Sequence, residues 1–202
     1  MDIAQTVLDN SDNPRERIMN TSLDLLYRKS YTETTIAEIL EVSQTFKKSF
    51  YRYFSDKQDL GKEYLRLQGK LFLNYLIALT DKHPDFFDFW QSWISALMRQ
   101  IERKKYLGCP FAAFAIQTPR EKDIFQAELE NFIKEWKRVL EKYLRVSLYA
   151  EHNDAEALAK QISDQIIIQF EGASALLVLT GDVKYFRRIR DDVAFLARQS
   201  LK

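Results

Sequence analysis

Apolar residues recur at helical spacing along nearly the whole chain, and that regularity admits few folds. In "RERIMNTSLDLLYRKS" the residues Ile18, Ser22, Leu25 and Leu26 stand at i, i+4, i+7 and i+8, the stripe that one face of a 3.6-residue helix presents to a core. Apolar runs follow at 65–79, 86–98 and 111–116, then a highly charged helical stretch at 120–145 and two final helices from about Asp154 and Val183. No strand-type alternation persists. Only four prolines and five glycines occur in 202 residues, and the period is interrupted at "SYTET", "EVSQT", "DKHPD", "LGCP" and "TGD". The pattern predicts an all-α chain of one or two compact domains with a substantial core.

The first three helices carry the most specific local chemistry. Pro14 sits where a first helix can begin without losing a hydrogen bond. Thr35 followed by Glu38 has capping-box spacing and opens a second helix through Ile36, Ile39 and Leu40. Ser43, Gln44 and Thr45 suit a turn or a cap better than a helix interior. The third segment, "FKKSFYRYF", wound at about 100° per residue, puts Phe46, Phe50, Tyr53 and Phe54 on one side and Lys47, Lys48, Tyr51 and Arg52 on the other. An aromatic face for the core and a cationic, hydrogen-bonding face for something outside are the consequence. Ser55 and Gln58 repeat the capping-box spacing and open a fourth helix, in which Gly61 marks a flexible or closely packed point.

Net charge is +1, so any electrostatic function must be local. Between residues 44 and 57 the cations Lys47, Lys48, Arg52 and Lys57 face one acid, Asp56, and such a patch can displace counterions from nucleic-acid phosphates. One cysteine, Cys109, excludes an internal disulfide, and two distant histidines, His83 and His152, argue against a zinc cluster. Neither histidine has a nucleophile pattern beside it, and there is no glycine-rich phosphate loop, so no catalytic residue, metal or cofactor is expected. The acidic start "MDIAQTVLDNSDNP" is unlike a secretory signal, and "IIIQFEGASALLVLTG" is interrupted by Gln169 and Glu171. The expectation is a cytoplasmic protein with no membrane partner.

Three short helices with a tight turn before a basic third one describe a helix-turn-helix. The stretches "RERIMNTSLDLLYRKSY", "TTIAEI", "YRYF" and "SDKQDL" resemble the amino-terminal DNA-binding domain of TetR-family transcriptional regulators, and the ungapped length from Thr34 to Phe54 agrees with the family pattern. The chain departs from it in "SQTFKK": Gln44 stands for the usual glycine, Phe46 for the usual serine and Lys48 for a frequent glycine. Two registers fit this turn. Thr45 caps the third helix one residue early, or the register slips and Ser43 does so; the ungapped register keeps the aromatic face coherent.

The resemblance implies a helix-turn-helix domain at 1–57 and a ligand-binding and dimerisation domain at 58–202. Thr35, Tyr51 and Lys57 would contact phosphates, while Thr45, Lys47, Lys48, Ser49 and Arg52 would lie nearest base edges. It further implies a homodimer through the last two helices, bound to a palindromic double-stranded operator as a repressor and released by a small, largely apolar effector. Tyr64, Tyr75, Trp93, Gln117 and Phe170 are candidates to line the effector site; residue by residue, plain core is the competing reading. Cys109 reads first as a small buried side chain and second as a sensor or effector contact. Leu158, Ile162, Ile166 and Phe170, four residues apart, are expected to form the dimer face. The competing function is a helical ligand-binding or protein-interaction module that has lost operator binding, motivated by "SQTFKK".

Overall fold

The structure is a computed structural model describing residues 12–201; the aperiodic start, residues 1–11, lies outside them, as does Lys202. Among the described residues all regular structure is helical: α1 Pro14–Arg28, α2 Ile36–Val42, α3 Lys47–Tyr53, α4 Lys57–Lys82, α5 Phe86–Glu102, α6 Pro110–Gln117, α7 Lys122–Ser147, α8 Ala155–Thr180 and α9 Lys184–Gln199, with a 3₁₀ turn at Pro119–Glu121. Helix ends follow local chemistry. The Asn13 side chain accepts a hydrogen bond from the Arg15 amide at 3.0 Å, with Pro14 first in α1. Thr35 Oγ1 accepts from the Glu38 amide at 3.1 Å. Gly181, with φ +71°, ends α8 in the left-handed conformation that glycine adopts without a Cβ penalty.

At α4 the cap differs from the expected Ser55–Gln58 pair. Asp56 Oδ1 accepts from the Asp59 amide at 2.8 Å, and Asp59 Oδ2 accepts from the Ser55 amide at 3.0 Å. A carboxylate is the stronger acceptor and complements the positive helix end, so Asp56 takes the role that spacing alone assigned to Ser55.

The chain forms two compact units, neither of them continuous in sequence. One combines Met1–Phe72 with Pro110–Phe132. Its helix-turn-helix core joins Ile18, Met19, Ile39, Phe50, Phe54 and Leu60. A second group surrounds Tyr31, whose ring lies 4.8 Å from Phe114 and 5.4 Å from Phe125, and Tyr64 stacks on Phe114 at 5.7 Å. Gly61 is the close-packed point: a Cβ there would stand 2.9 Å from the Phe125 ring and 3.0 Å from Tyr31.

The other unit combines Leu73–Cys109 with Ile133–Lys202. Trp93 stacks on Phe170 at 5.4 Å and Trp136 meets Phe170 edge-on at the same distance. The Trp90 indole N–H donates to the Arg190 carbonyl at 2.9 Å, satisfying a buried donor and pinning α5 to α9. Ile162, Ile166 and Phe170 are buried within this unit, which corrects the expectation that their row faces a partner. The exposed apolar row of α8 lies round the helix from them, through Ile168, Gly172, Ala175, Leu176 and Leu179. By length and composition α8 would be able to cross a membrane, its most apolar window having mean hydropathy 1.3; 44% of that window is buried inside the protein.

Candidate nucleic-acid interface

The turn before α3 is built by hydrogen bonds. The Thr45 amide donates to the Leu40 carbonyl at 2.9 Å and the Ser43 amide to the Ile39 carbonyl at 2.9 Å. From α1, Arg17 Nε donates to the Ser43 carbonyl at 3.1 Å, tying α1 to the turn. Gln44 adopts φ +51°, the region in which a side chain costs about 1–2 kcal/mol relative to right-handed backbone. Gln44 therefore adopts the left-handed backbone that its glycine counterpart would enter without that penalty.

Neither expected cap operates on α3. Phe46 occupies the N-cap position with φ −104° and ψ 152° and makes no side-chain capping bond. Thr45 is turned inward, 9% exposed, with its hydroxyl 2.7 Å from that of Ser43. Phe46 is 79% exposed and so leaves the aromatic face predicted for it, whereas Phe50 and Phe54 are buried as expected. Phe46 and Phe54 are both cap residues with extended backbone, so tertiary packing and not the helix period decides that Phe54 is covered and Phe46 is not.

The outward face of α3 brings Lys47, Lys48, Tyr51 and Arg52 together on the surface, with Ser49 half-buried beside them. Lys47 lies over the Tyr51 ring and Arg52 over the Tyr53 ring, 5.9 and 5.7 Å from the centroids. The first turns of the helices differ in charge. α1, α2, α4, α5, α7 and α8 each carry an acid there. α6 and α9 carry none, and α9 begins with a lysine, Lys184; α3 begins with two lysines against the positive end of its own dipole. Each such lysine costs a few tenths of a kcal/mol up to about 1 kcal/mol until an anion approaches.

Thr35, exposed at the start of α2, caps that helix; Lys29 and then the Thr35 backbone hold the neighbouring Glu38 carboxyl below its ordinary range. Lys57 stands apart from the α3 row. Its ammonium sits 4.4 Å above the Tyr31 ring, in an open cleft of about 540 Å³ lined also by Thr32, Asp56, Gln58 and Glu121. Burial lowers the Lys57 pKa and the Glu121 charge opposes that, while burial raises the Tyr31 phenol.

The six residues expected near an effector are divided between the two units. Tyr64 and Gln117 belong to the first unit and Tyr75, Trp93, Cys109 and Phe170 to the second. Gln117 Oε1 accepts from the Tyr31 amide at 3.0 Å, and Trp93 and Phe170 are stacked. Half-buried Tyr75 has its phenol pKa raised by burial. Cys109 is buried and hydrogen-bonds the Glu171 carboxyl, whose pKa burial raises against the pull of that bond. In the sequence Glu171 only interrupts an apolar run, and its place opposite Cys109 has no local sequence signal.

Two family models match. Residues 18–64 match the bacterial regulatory proteins of the tetR family, and residues 87–192 match the transcriptional regulator LmrA/YxaF-like C-terminal domain. The chain belongs to the TetR family of transcriptional regulators: it is a DNA-binding regulator and not an enzyme. Within that family its C-terminal part is of the LmrA/YxaF type. It is 26% identical over 180 residues to an HTH-type transcriptional regulator in the lacX 3′ region of Lactococcus lactis subsp. lactis, covering 86% of this chain and 88% of that protein. It is 24% identical over 187 residues to the HTH-type regulator YxaF of Bacillus subtilis (strain 168), with 92% and 95% covered. Among solved structures, a TetR-family regulator from Cytophaga hutchinsonii superposes with TM-score 0.79 at 17% identity over 95% of this chain and 97% of that one. The reduced form of E. coli NemR superposes with TM-score 0.76 at 16% identity, over 91% and 96%.

Proposed function

We propose that the protein is a cytoplasmic, homodimeric repressor that binds a palindromic operator through α3 and is released when a small, largely apolar effector binds residues 58–202. Residues 1–57 are then the DNA-reading part. The observation that carries the reading is the cationic surface of α3, whose first-turn lysines are unfavourable on an isolated helix and favourable beside phosphates. Lys48, Ser49, Arg52 and Lys47 would address base edges; Thr35, Tyr51 and Lys57 would hold phosphates, Lys57 by leaving the Tyr31 ring. Thr45, being buried, drops out of the base-reading set.

The dimer rests on the exposed apolar row of α8 and on Phe195 of α9, 57% exposed and flanked by the Arg188–Asp192 ion pair. Such a patch with a charged rim suits a two-fold contact with its own copy. For the effector, Tyr75, Trp93, Cys109 and Phe170 offer apolar contacts and Glu171 one polar anchor. α4 is one unbroken helix from Lys57 to Lys82, a continuous element through which ligand binding can displace the reading helices, which in a dimer must sit about one DNA turn, roughly 34–36 Å, apart or at a multiple of it.

The competing reading, a module without operator binding, rests on the departures in "SQTFKK". Selection of bound fragments from genomic and random DNA by the purified protein tests the reading. Palindromic fragments bound with a steep salt dependence are expected. Recovery of no preferred sequence by a stable dimer would leave the module reading in its place.

A further inference from the structure

We infer that Phe46 is a specificity-determining residue that reads the 5-methyl group of a thymine in the operator's major groove. Three observations converge on it. The ring is 79% exposed, the least covered aromatic side chain among the described residues. It stands at a position where serine, threonine, asparagine or aspartate would cap α3 and stabilise the helix, yet it makes no side-chain capping bond. It also directly precedes Lys47 and Lys48 at the amino-terminal end of the helix that faces DNA, and in helix-turn-helix proteins that end of the recognition helix meets base edges.

The chemistry of the ring limits what it can recognise there. Phenylalanine has no donor or acceptor for the guanine, adenine or cytosine edges. Thymine alone presents an apolar group in the major groove, and contact between that methyl and an apolar side chain is a recurrent mode of readout. Covering the ring by the methyl removes apolar surface from water on both partners, and Tyr51 and Lys57 can hold the phosphates that bring the groove to it. Phe46 then discriminates thymine, while Lys47 and Lys48 beside it address polar base edges. The inward turn of Thr45, with its hydroxyl on Ser43, leaves the first base-reading position of the motif to the phenylalanine.

The inference rests on α3 being the reading helix, and the experiment separates the two. The full-length protein is used to enrich fragments from a random double-stranded pool, and each thymine of the enriched site is replaced in turn by deoxyuridine, which lacks only the methyl. At fixed salt, one thymine per half-site should respond, with an affinity loss of about fourfold per half-site and about fifteenfold when both are replaced, the scale of one buried methyl group. Phe46→Ala should bind the thymine site more weakly and lose sensitivity to uracil at that position alone. Phe46→Gln, with a polar side chain of comparable reach, should behave alike, and both should melt as the parent does because the ring is exposed. A parent protein indifferent to every uracil overturns the inference, as does a Phe46→Ala variant that keeps the uracil response. If Lys48→Ala and Arg52→Ala also leave affinity unchanged, or no preferred sequence is recovered, the assignment of α3 as reading helix falls with it; if they weaken binding while uracil is without effect, only the role of Phe46 falls.

Discussion

Two helices turn side chains outward, and they do so in opposite ways. α3 exposes Lys47, Lys48, Tyr51, Arg52 and the Phe46 ring before it; α8 exposes Ile168, Gly172, Ala175, Leu176 and Leu179 without a charge among them. A surface in which cations surround an aromatic is suited to a polyanion, because charge can be neutralised at long range while the apolar group is matched at contact. An uncharged row with small residues at its centre is suited to another packed helix, because the gain comes from excluded water and close approach. The same exposure thus argues for different partners, and the two faces should fail independently.

The largest expected effect is on α8. Leu179→Glu, at a side chain 79% exposed in the subunit, should leave the monomer folded and oppose dimerisation by about 3 kcal/mol or more, because the carboxylate would be buried without a partner. Sedimentation should show monomers at micromolar concentration, with operator affinity lost in parallel. A variant that remains a dimer removes α8 from the interface.

On α3 the effect should be smaller and specific. Arg52→Ala and Lys48→Ala should each weaken operator binding by about 1–3 kcal/mol if the side chain reads a base, with sedimentation unchanged. Equal losses on operator and random DNA would reassign that residue to the phosphates.

Two glycines sharpen the contrast between a filled interior and an open face. Gly61→Ala forces a methyl to within 2.9 Å of the buried Phe125 ring; overpacking costs about 1–3 kcal/mol and helix propensity returns about 1, so a net loss of about 1 kcal/mol in urea unfolding is expected. Gly172→Ala meets nothing within 4 Å and should stabilise the isolated subunit by up to about 1 kcal/mol while weakening the dimer. A dimer strengthened by that alanine would mean that the α8 helices do not approach closely there.

The smallest effect concerns Lys57, held on Tyr31. As a phosphate contact, Lys57→Ala should lower affinity for all sequences about equally and reduce the slope of log affinity against log salt by about one unit. An unchanged slope would make Lys57 a structural partner of Tyr31 and Glu121 only.

The sequence by itself determined the helices and several of their ends, because those depend on neighbours three or four residues away: the stripe of α1, the Thr35 cap and the Gly181 stop were all legible. The cationic face of α3 was legible for the same reason, since Lys47, Lys48, Tyr51 and Arg52 all lie inside the helix and obey its period. Phe46 was not: the wheel groups it with Phe50 and Phe54, and only the tertiary structure leaves its ring exposed while Phe54, an extended cap residue too, is buried. Tertiary structure alone decided which side of α8 is interior. That helix is apolar around most of its circumference, so both the Ile162–Ile166–Phe170 row and the Ile168–Leu179 row satisfy the pattern. Trp93 stacked on Phe170 and Trp136 edge-on to it, contacts between distant segments, select the first row for the core and leave the second exposed.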